Sequence, residues 1–216
     1  MSSELAKIMN FPSHPVEFFK QILQAANKGK PAGSIQEMNL ATVDEEFGVL
    51  NRTVLYRGLT RDNFVFYITH RYTRNFKNLQ ANPNKAGITF YWTNVRDSDG
   101  KESTWQVRLI GATAVQLPES ELDALWAKED LAAKIRGHIC PCGQPIDHDE
   151  LKTKHDQFLQ EHLASGKPIP RPDSYTAFKF EPQRWDFLNV AINQIADRVQ
   201  YRLQANGQWE SMHVST

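Results

Sequence analysis

The chain has 216 residues, and its 25 Lys and Arg are matched by 25 Asp and Glu, so its formal net charge is zero. Nucleic-acid and membrane-surface proteins usually carry a basic excess, so the balance argues against both partners while leaving room for a local basic pocket. A hydrophobic share of 40% and a charged share of 23% are ordinary for a globular chain long enough to bury one sizeable core.

No run reaches the apolar length needed to span a bilayer. The first ten residues carry Glu4 and Lys7 and no continuous apolar segment, so no secretory leader is expected. Cys140 and Cys142 are the only cysteines, too few for a disulfide framework, and the expected location is cytoplasmic.

In chain order, Val16, Phe19, Ile22, Leu23 and Ala26 recur at helical spacing, which predicts a helix over about 15–27. A loop through Asn27–Gly33 follows. Segments near 37–43, 49–58, 63–69, 86–94 and 103–117 are rich in β-branched and aromatic residues and read as strands. Gly48, Arg61-Asp-Asn63 and Asp97-Ser-Asp-Gly100 punctuate them as turns. Between the third and fourth strands, Thr73 caps a short helix that Asn82-Pro83 ends. After Pro118 the texture becomes helical: one helix over Glu119–Arg136, a loop through Gly137–Pro145, and a second helix from about Asp147 to Ser165. Strands return at Tyr175–Phe180, Gln183–Val190, Arg198–Leu203 and Trp209–Val214.

Many short strands with few helices predict a mainly β (α+β) fold, a barrel or closed sheet with peripheral helices. We read residues 1–216 as one domain, with a helical insertion over about 119–166 and C-terminal strands over about 175–214. No Gly-x-Gly-x-x-Gly follows a strand, which disfavours a parallel dinucleotide-binding fold. The chain also lacks a Gly-x-Ser-x-Gly elbow, a His-Glu-x-x-His pair and a P-loop, removing most support for hydrolytic chemistry.

Three constellations could carry chemistry. Arg52 lies in a strand, and Thr73-Arg74 opens the following helix, where free N–H groups and a guanidinium could cradle a phosphate. The competing reading is a capping threonine with two solvated arginines. In Trp105-Gln-Val-Arg-Leu-Ile-Gly111, alternation sets Gln106, Arg108 and Ile110 on one face. A buried Gln106 needs a partner, which a heterocycle or a cross-strand side chain could supply. His138, Cys140, Cys142 and His148 invite a zinc reading, but Cys-Pro-Cys is tighter than the usual thiolate spacing, and a surface loop with two thiols is the simpler account. His148, His155 and His162 recur every seven residues, a stripe at a core–solvent boundary or a pH-sensitive one.

Taken together, Asn39-Leu-Ala-Thr-Val-Asp44, Arg52-Thr-Val-Leu55, Val65-Phe-Tyr67, Thr73-Arg74 leading to Asn82-Pro83, and Gln106-Val107 resemble the pyridoxamine 5′-phosphate oxidase-like family of FMN-binding split β-barrels, from about Pro15 onward. The resemblance implies an FMN-dependent oxidoreductase that forms a homodimer with FMN at the subunit interface. Arg52 and Arg74 would hold the FMN phosphate with Thr73. Thr53, Val54 and Leu55 would lie along the cofactor, Tyr67 with Ile68 or Thr69 would line it, and Gln106 and Arg198 would reach it. Arg57 stands where a substrate-side lysine is usual.

The departures bear on activity and weigh most on the substrate half. Thr73-Arg74-Asn75 replaces Ser-Arg-Lys, and the C-terminal Arg-x-His reads Gln194-Ile-Ala196. Leu188 replaces a cofactor-facing tryptophan, and the residues that hold a substrate phosphate have no counterparts in Ala124–Ile139. A divergent branch is implied, with a small-molecule substrate other than pyridoxine or pyridoxamine phosphate. The alternatives are an authentic oxidase of those vitamers, a flavin-binding protein without turnover, and a dimer with a vestigial pocket.

Overall fold

A computed structural model describes residues 3–31, 33–96 and 100–216. Of the expected turns, the Asp97–Asp99 part of one lies outside the described residues, as does Ala32 of the first loop. The elements are β1 (Glu4–Leu5), α1 (Pro15–Asn27), β2 (Gln36–Asp44), β3 (Gly48–Tyr56), β4 (Val65–His70), α2 (Arg74–Ala81), β5 (Ala86–Arg96), β6 (Glu102–Gln116), α3 (Glu119–Ala127), α4 (Leu131–Ile139), α5 (His148–Ser165), β7 (Tyr175–Glu181), β8 (Arg184–Val190), β9 (Gln194–Ile195), β10 (Asp197–Leu203) and β11 (Trp209–His213). Among the described residues no helix is long and apolar enough to cross a membrane.

The strands β11-β10-β8-β6-β5-β2-β3 form one antiparallel path. β6 serves two sheets: Thr104–Ile110 pair with β8, and Thr113–Gln116 pair with β7. The change of partner falls at Gly111, whose φ of +61° and close approach to the Gln183 side chain suit a residue without Cβ. β7 in turn pairs with β4.

That leaves β3 and β4 as the two ends of the rolled run β3-β2-β5-β6-β7-β4, while β11 ends the other branch. Just past the end of β3 the chain bonds to β4: Arg57 N donates to Phe66 O (3.1 Å), Phe66 N donates to Gly58 O (3.2 Å), and Leu59 bridges Val65. Among the described residues β3 and β4 share no ladder, and the barrel is split along that seam.

Alternation decides the faces. Leu40, Ile88, Val107, Leu109, Trp185, Phe187, Val199 and Tyr201 point into the main core with Phe18 and Phe19 of α1. A second apolar cluster lies outside β4 and β7, where Phe66, Tyr175 and Ala177 meet Leu122, Trp126 and Ile135.

Two differences from the sequence reading matter. The single helix expected over 119–136 is two, α3 and α4, because the Asp130 carboxylate caps a new N-terminus at Ala133 N (2.6 Å). The parallel pair β1–β9, two residues on each side, is too short to leave a periodic signal.

Candidate functional site

One end of the split is polar and buried. Thr42, Asp44, Thr69, Asn75 and Asn78 are all less than a tenth exposed there. Arg52 is paired with Leu40 across β2–β3, so its side chain enters on the core side. Its Nε is buried and has no hydrogen-bond partner, a costly state for a charged donor unless something absent from the chain completes it. Around it the other groups are satisfied. Asn75 Nδ2 donates to Tyr67 Oη (3.0 Å), Thr69 Oγ1 and Thr73 Oγ1 stand 2.9 Å apart, and Asn78 Nδ2 donates to Thr42 Oγ1 (3.1 Å). Thr73 caps α2, accepting from Phe76 N (3.3 Å). Burial pushes the Tyr67 hydroxyl pKa up, while the Arg52 charge acts on it in the opposite direction.

Arg74 is differently placed. Its Nε and Nη2 donate to the two oxygens of Asp44 (2.7 and 3.1 Å), Nη2 also reaches Glu46, and the guanidinium lies 4.5 Å from the centre of the Phe47 ring. The β2–β3 turn supplies all three residues, and Asp44 Oδ1 fixes the turn by accepting from Glu46 N and Phe47 N. The Arg74 guanidinium holds the Asp44 carboxyl down at about 2.

Adjoining that polar cluster at Thr69 lies a cavity of about 230 Å³. Its apolar walls are Val54 and Leu55 of β3, Ile68 of β4 and Trp126 of α3, and its polar groups are Arg57, Thr69, His70, Glu129, Arg136 and Tyr175. Glu129 sits in the break between α3 and α4 and reaches inward, its side chain 8% exposed. Its Oε1 accepts from Arg57 Nη2 (2.5 Å) and from the Tyr175 hydroxyl (2.9 Å). His70 pairs with Ser174 Oγ through Nδ1 (3.0 Å). Burial, and then the charges of Arg136 and His138, lower its pKa, which favours the neutral ring. Gly137 lets α4 come this close, since a Cβ there would stand 3.1 Å from the His70 ring.

The outer face of the sheet holds a third group. Gln106 pairs with Leu188, and Leu188 with Arg198, so the three side chains form one row. The adjacent row carries Arg108, Asp186 and Gln200. Asp186 is fully buried and accepts from Arg108 Nη2 (3.0 Å), Arg198 Nε (2.8 Å) and Gln200 Nε2 (2.9 Å). Arg108 Nε is buried and unpaired. Gln106 is half-buried, and its amide makes no hydrogen bond among the described residues.

The residues singled out from sequence thus fall into two sets. Arg52, Val54, Leu55, Arg57, Ile68, Thr69, Thr73 and Arg74 line or flank the split; Gln106 and Arg198 stand together on the outer sheet face. Gln106 is three strands from β3, about 14 Å at ordinary strand spacing, and faces the side opposite Arg52. Three placements differ from the expectation. The Tyr67 ring is 1% exposed and stacks in the core on Phe178 and Phe180, whereas Ile68 and Thr69 both line the cavity. Thr53 points outward, donating to Asn39 Oδ1 (3.0 Å). Arg74 is engaged by two carboxylates, whereas Arg52 keeps an open donor. Sequence reasoning did not single out His70, Trp126, Glu129, Arg136 or Tyr175 as site residues; they converge from segments separated by dozens of positions.

The remaining motifs take simpler places. Both cysteines are free, Cys142 exposed, and His138 pairs with Pro170 O (2.9 Å). Among the described residues no group of three or more His, Cys, Asp and Glu is arranged to hold a metal. α5 has no buried residue, although Phe158 and Leu159 rest against the second apolar cluster.

Residues 33–189 match the family model described as pyridoxamine 5′-phosphate oxidase. A pyridoxine/pyridoxamine 5′-phosphate oxidase from Bacteroides thetaiotaomicron is 30% identical over 208 residues, covering 94% of this chain and 90% of its own. One from Bradyrhizobium sp. is 29% identical over 199 residues, covering 91% and 85%. Among solved structures, PhzG from Burkholderia lata 383, in complex with tetrahydrophenazine-1-carboxylic acid, superposes with a TM-score of 0.79 at 20% identity, each chain covered over 100% of its length. A pyridoxamine 5′-phosphate oxidase-related, FMN-binding protein from Nostoc punctiforme superposes with a TM-score of 0.67 at 18% identity, covering 96% of this chain and 99% of its own. At these identities the two structures speak for the fold.

Proposed function

Because the chain belongs to the pyridoxamine 5′-phosphate oxidase family, we propose that it is an FMN-dependent oxidoreductase working as a homodimer on a small molecule other than pyridoxine or pyridoxamine 5′-phosphate. The observation that carries the cofactor is the buried Arg52 Nε without a partner, together with the Thr69–Thr73 hydroxyl pair at the start of α2. A phosphate there would complete the guanidinium and meet the free N–H groups of the helix. The unpaired Gln106 amide fits the second need of a flavin, hydrogen bonds to its polar ring edge.

Bound FMN would supply the hydride-accepting ring, and the protein would supply binding, orientation and exclusion of water. Val54, Leu55 and Ile68 offer an apolar wall along the split that the flavin and a substrate beside it would share. Arg52 anchors one end, and Arg57 and Arg136 flank the other.

A second copy is part of this reading for two reasons. Gln106 and Arg198 stand on the far face from Arg52, so one chain does not bring both sets to one ligand. The cavity of about 230 Å³ is also smaller than the roughly 300–1,000 Å³ common for ligand sites. A partner's outer sheet face laid over the split would supply the missing wall.

The substrate reading rests on the positions where the resemblance expects an arginine and a histidine. They hold Gln194, whose amide donates to Glu4 (3.2 Å), and Ala196, and neither can orient a substrate as those groups would. The test is turnover. Purified, flavin-loaded protein should show no oxidation of pyridoxine or pyridoxamine 5′-phosphate at an ordinary enzymatic rate, and steady turnover of either would replace this reading with that of an authentic vitamer oxidase.

A further inference from the structure

The cavity in the split contains an ion pair that bears on substrate choice. Arg57 points into it from the end of β3, and Glu129 closes on Arg57 from the α3–α4 break at 2.5 Å. The same carboxylate oxygen takes the Tyr175 hydroxyl at 2.9 Å. Asp130 makes this possible: by starting a new helix it ends α3 and leaves Glu129 free to turn inward. Both charges are shielded, the Glu129 side chain at 8% exposure and that of Arg57 at 27%, so the pair is little screened by water. Arg136, at the rim, has no ion-pair partner among the described residues and is the remaining cation of the cavity lining.

We propose that Glu129 sets the substrate class of this site. By occupying Arg57 it leaves one free positive charge, Arg136, over an apolar pocket walled by Val54, Leu55, Ile68 and Trp126. The pocket therefore takes an aromatic or similarly flat molecule bearing a single negative charge, such as a carboxylate, in preference to a doubly charged phosphate ester. A dianion placed on Arg57 would stand within a guanidinium's width of the Glu129 carboxylate, and like charges at that separation in a partly dry site repel strongly. A monoanion on Arg136 leaves the Arg57–Glu129 pair intact.

The inference rests on reading the cavity as the substrate side of a flavin site, and its test keeps the two apart. Benzoate and phenyl phosphate are titrated calorimetrically into the purified protein at about pH 7.5, where the phosphate ester carries close to two charges, with bound FMN quantified on the same preparations. The wild type should bind benzoate more tightly than phenyl phosphate. Glu129→Gln, close in shape and still able to accept the two hydrogen bonds, should tighten phenyl phosphate about ten-fold or more while changing benzoate less. Adding Arg57→Gln to that variant should remove the gain, and matched thermal melts show that each variant is folded.

FMN-loaded wild type that binds phenyl phosphate at least as well as benzoate, or that binds neither, overturns the inference and leaves the flavin reading standing. So does a Glu129→Gln variant with an unchanged ratio. A protein that takes up no FMN refutes the flavin reading first, and this inference with it.

Discussion

The Arg74 guanidinium clamps the Asp44 carboxylate through two bonds, Nε to Oδ2 at 2.7 Å and Nη2 to Oδ1 at 3.1 Å. This joins the first turn of α2 to the β2–β3 turn and fixes the rim of the polar end of the split. It also means that a phosphate reaching Arg74 must compete with Asp44 and Glu46. Among the described residues Arg52 faces no such competitor.

The clamp has a pH signature. Arg74 depresses the Asp44 pKa to about 2 in the folded chain, below the unfolded value near 3.9. A depressed carboxylate stabilises the fold fully above its unfolded pKa, and that contribution is lost as pH falls toward the folded value. The stability difference between wild type and Asp44→Asn, from denaturant midpoints, should be constant at neutral pH and shrink from about pH 4 downward. A difference independent of pH across that window would mean the clamp carries no linked stability.

Arg52 is predicted to oppose stability and favour binding. Removing its unpaired buried donor with Arg52→Met should raise the stability of the FMN-free protein by about 1 kcal/mol. The same change should weaken FMN binding by about 1.5–3 kcal/mol, roughly ten- to a hundred-fold. Arg74→Met should weaken it less, because its guanidinium is already satisfied. Melting curves and fluorescence titrations of the two variants side by side check both statements, and the reverse order of FMN affinities would make Arg74 the anchor.

Asp186 organises the outer face. Burial raises its pKa, but hydrogen bonds from Arg198, Gln200 and Arg108 outweigh that, and the net shift is downward. Asp186→Ala leaves two guanidiniums facing each other without their shared carboxylate. It should cost on the order of 3 kcal/mol in denaturant unfolding, as breaking a buried ion pair does. A loss below about 1 kcal/mol would show that the arginines find other partners or water, as exposed pairs do.

The dimer reading has its own test. Chains carrying Arg52→Met and chains carrying Gln106→Ala with Arg198→Ala should each bind FMN weakly. Mixed and allowed to exchange subunits, they should regain tight FMN sites that neither parent has, because one intact half comes from each chain. No regain from a mixture whose heterodimers are verified by mass would place all the cofactor contacts on one chain.

Much of this architecture was legible in the sequence because its signals are local. The alternation in Trp105–Gly111 separated Gln106 and Arg108 from Val107 and Leu109, and the structure turns the second pair into the core. Thr73 read as a cap and is one. The family resemblance picked Arg52, but could not show its unpaired Nε, which depends on what surrounds it. Sequence took Tyr67 with Ile68 or Thr69 as lining, and only the packing of β4 shows that the Tyr67 ring is held in the core while both of the others reach the cavity. Glu129 was invisible as a site residue. In Lys128-Glu129-Asp130 it looks like one more solvated charge on a helix, and its role depends on a break made by Asp130 and on partners 72 and 46 residues away. His70 and Arg136 were missed for the same reason: contacts between distant segments leave no periodic trace.

The measurement that tests the central claim most directly is FMN uptake by the purified protein, followed by visible absorbance and by FMN released on denaturation. The account predicts flavin bands and about one FMN per chain, with affinity falling in Arg52→Met. A folded, colourless protein that leaves added FMN unbound would contradict it, and the split would then hold some other anion or none.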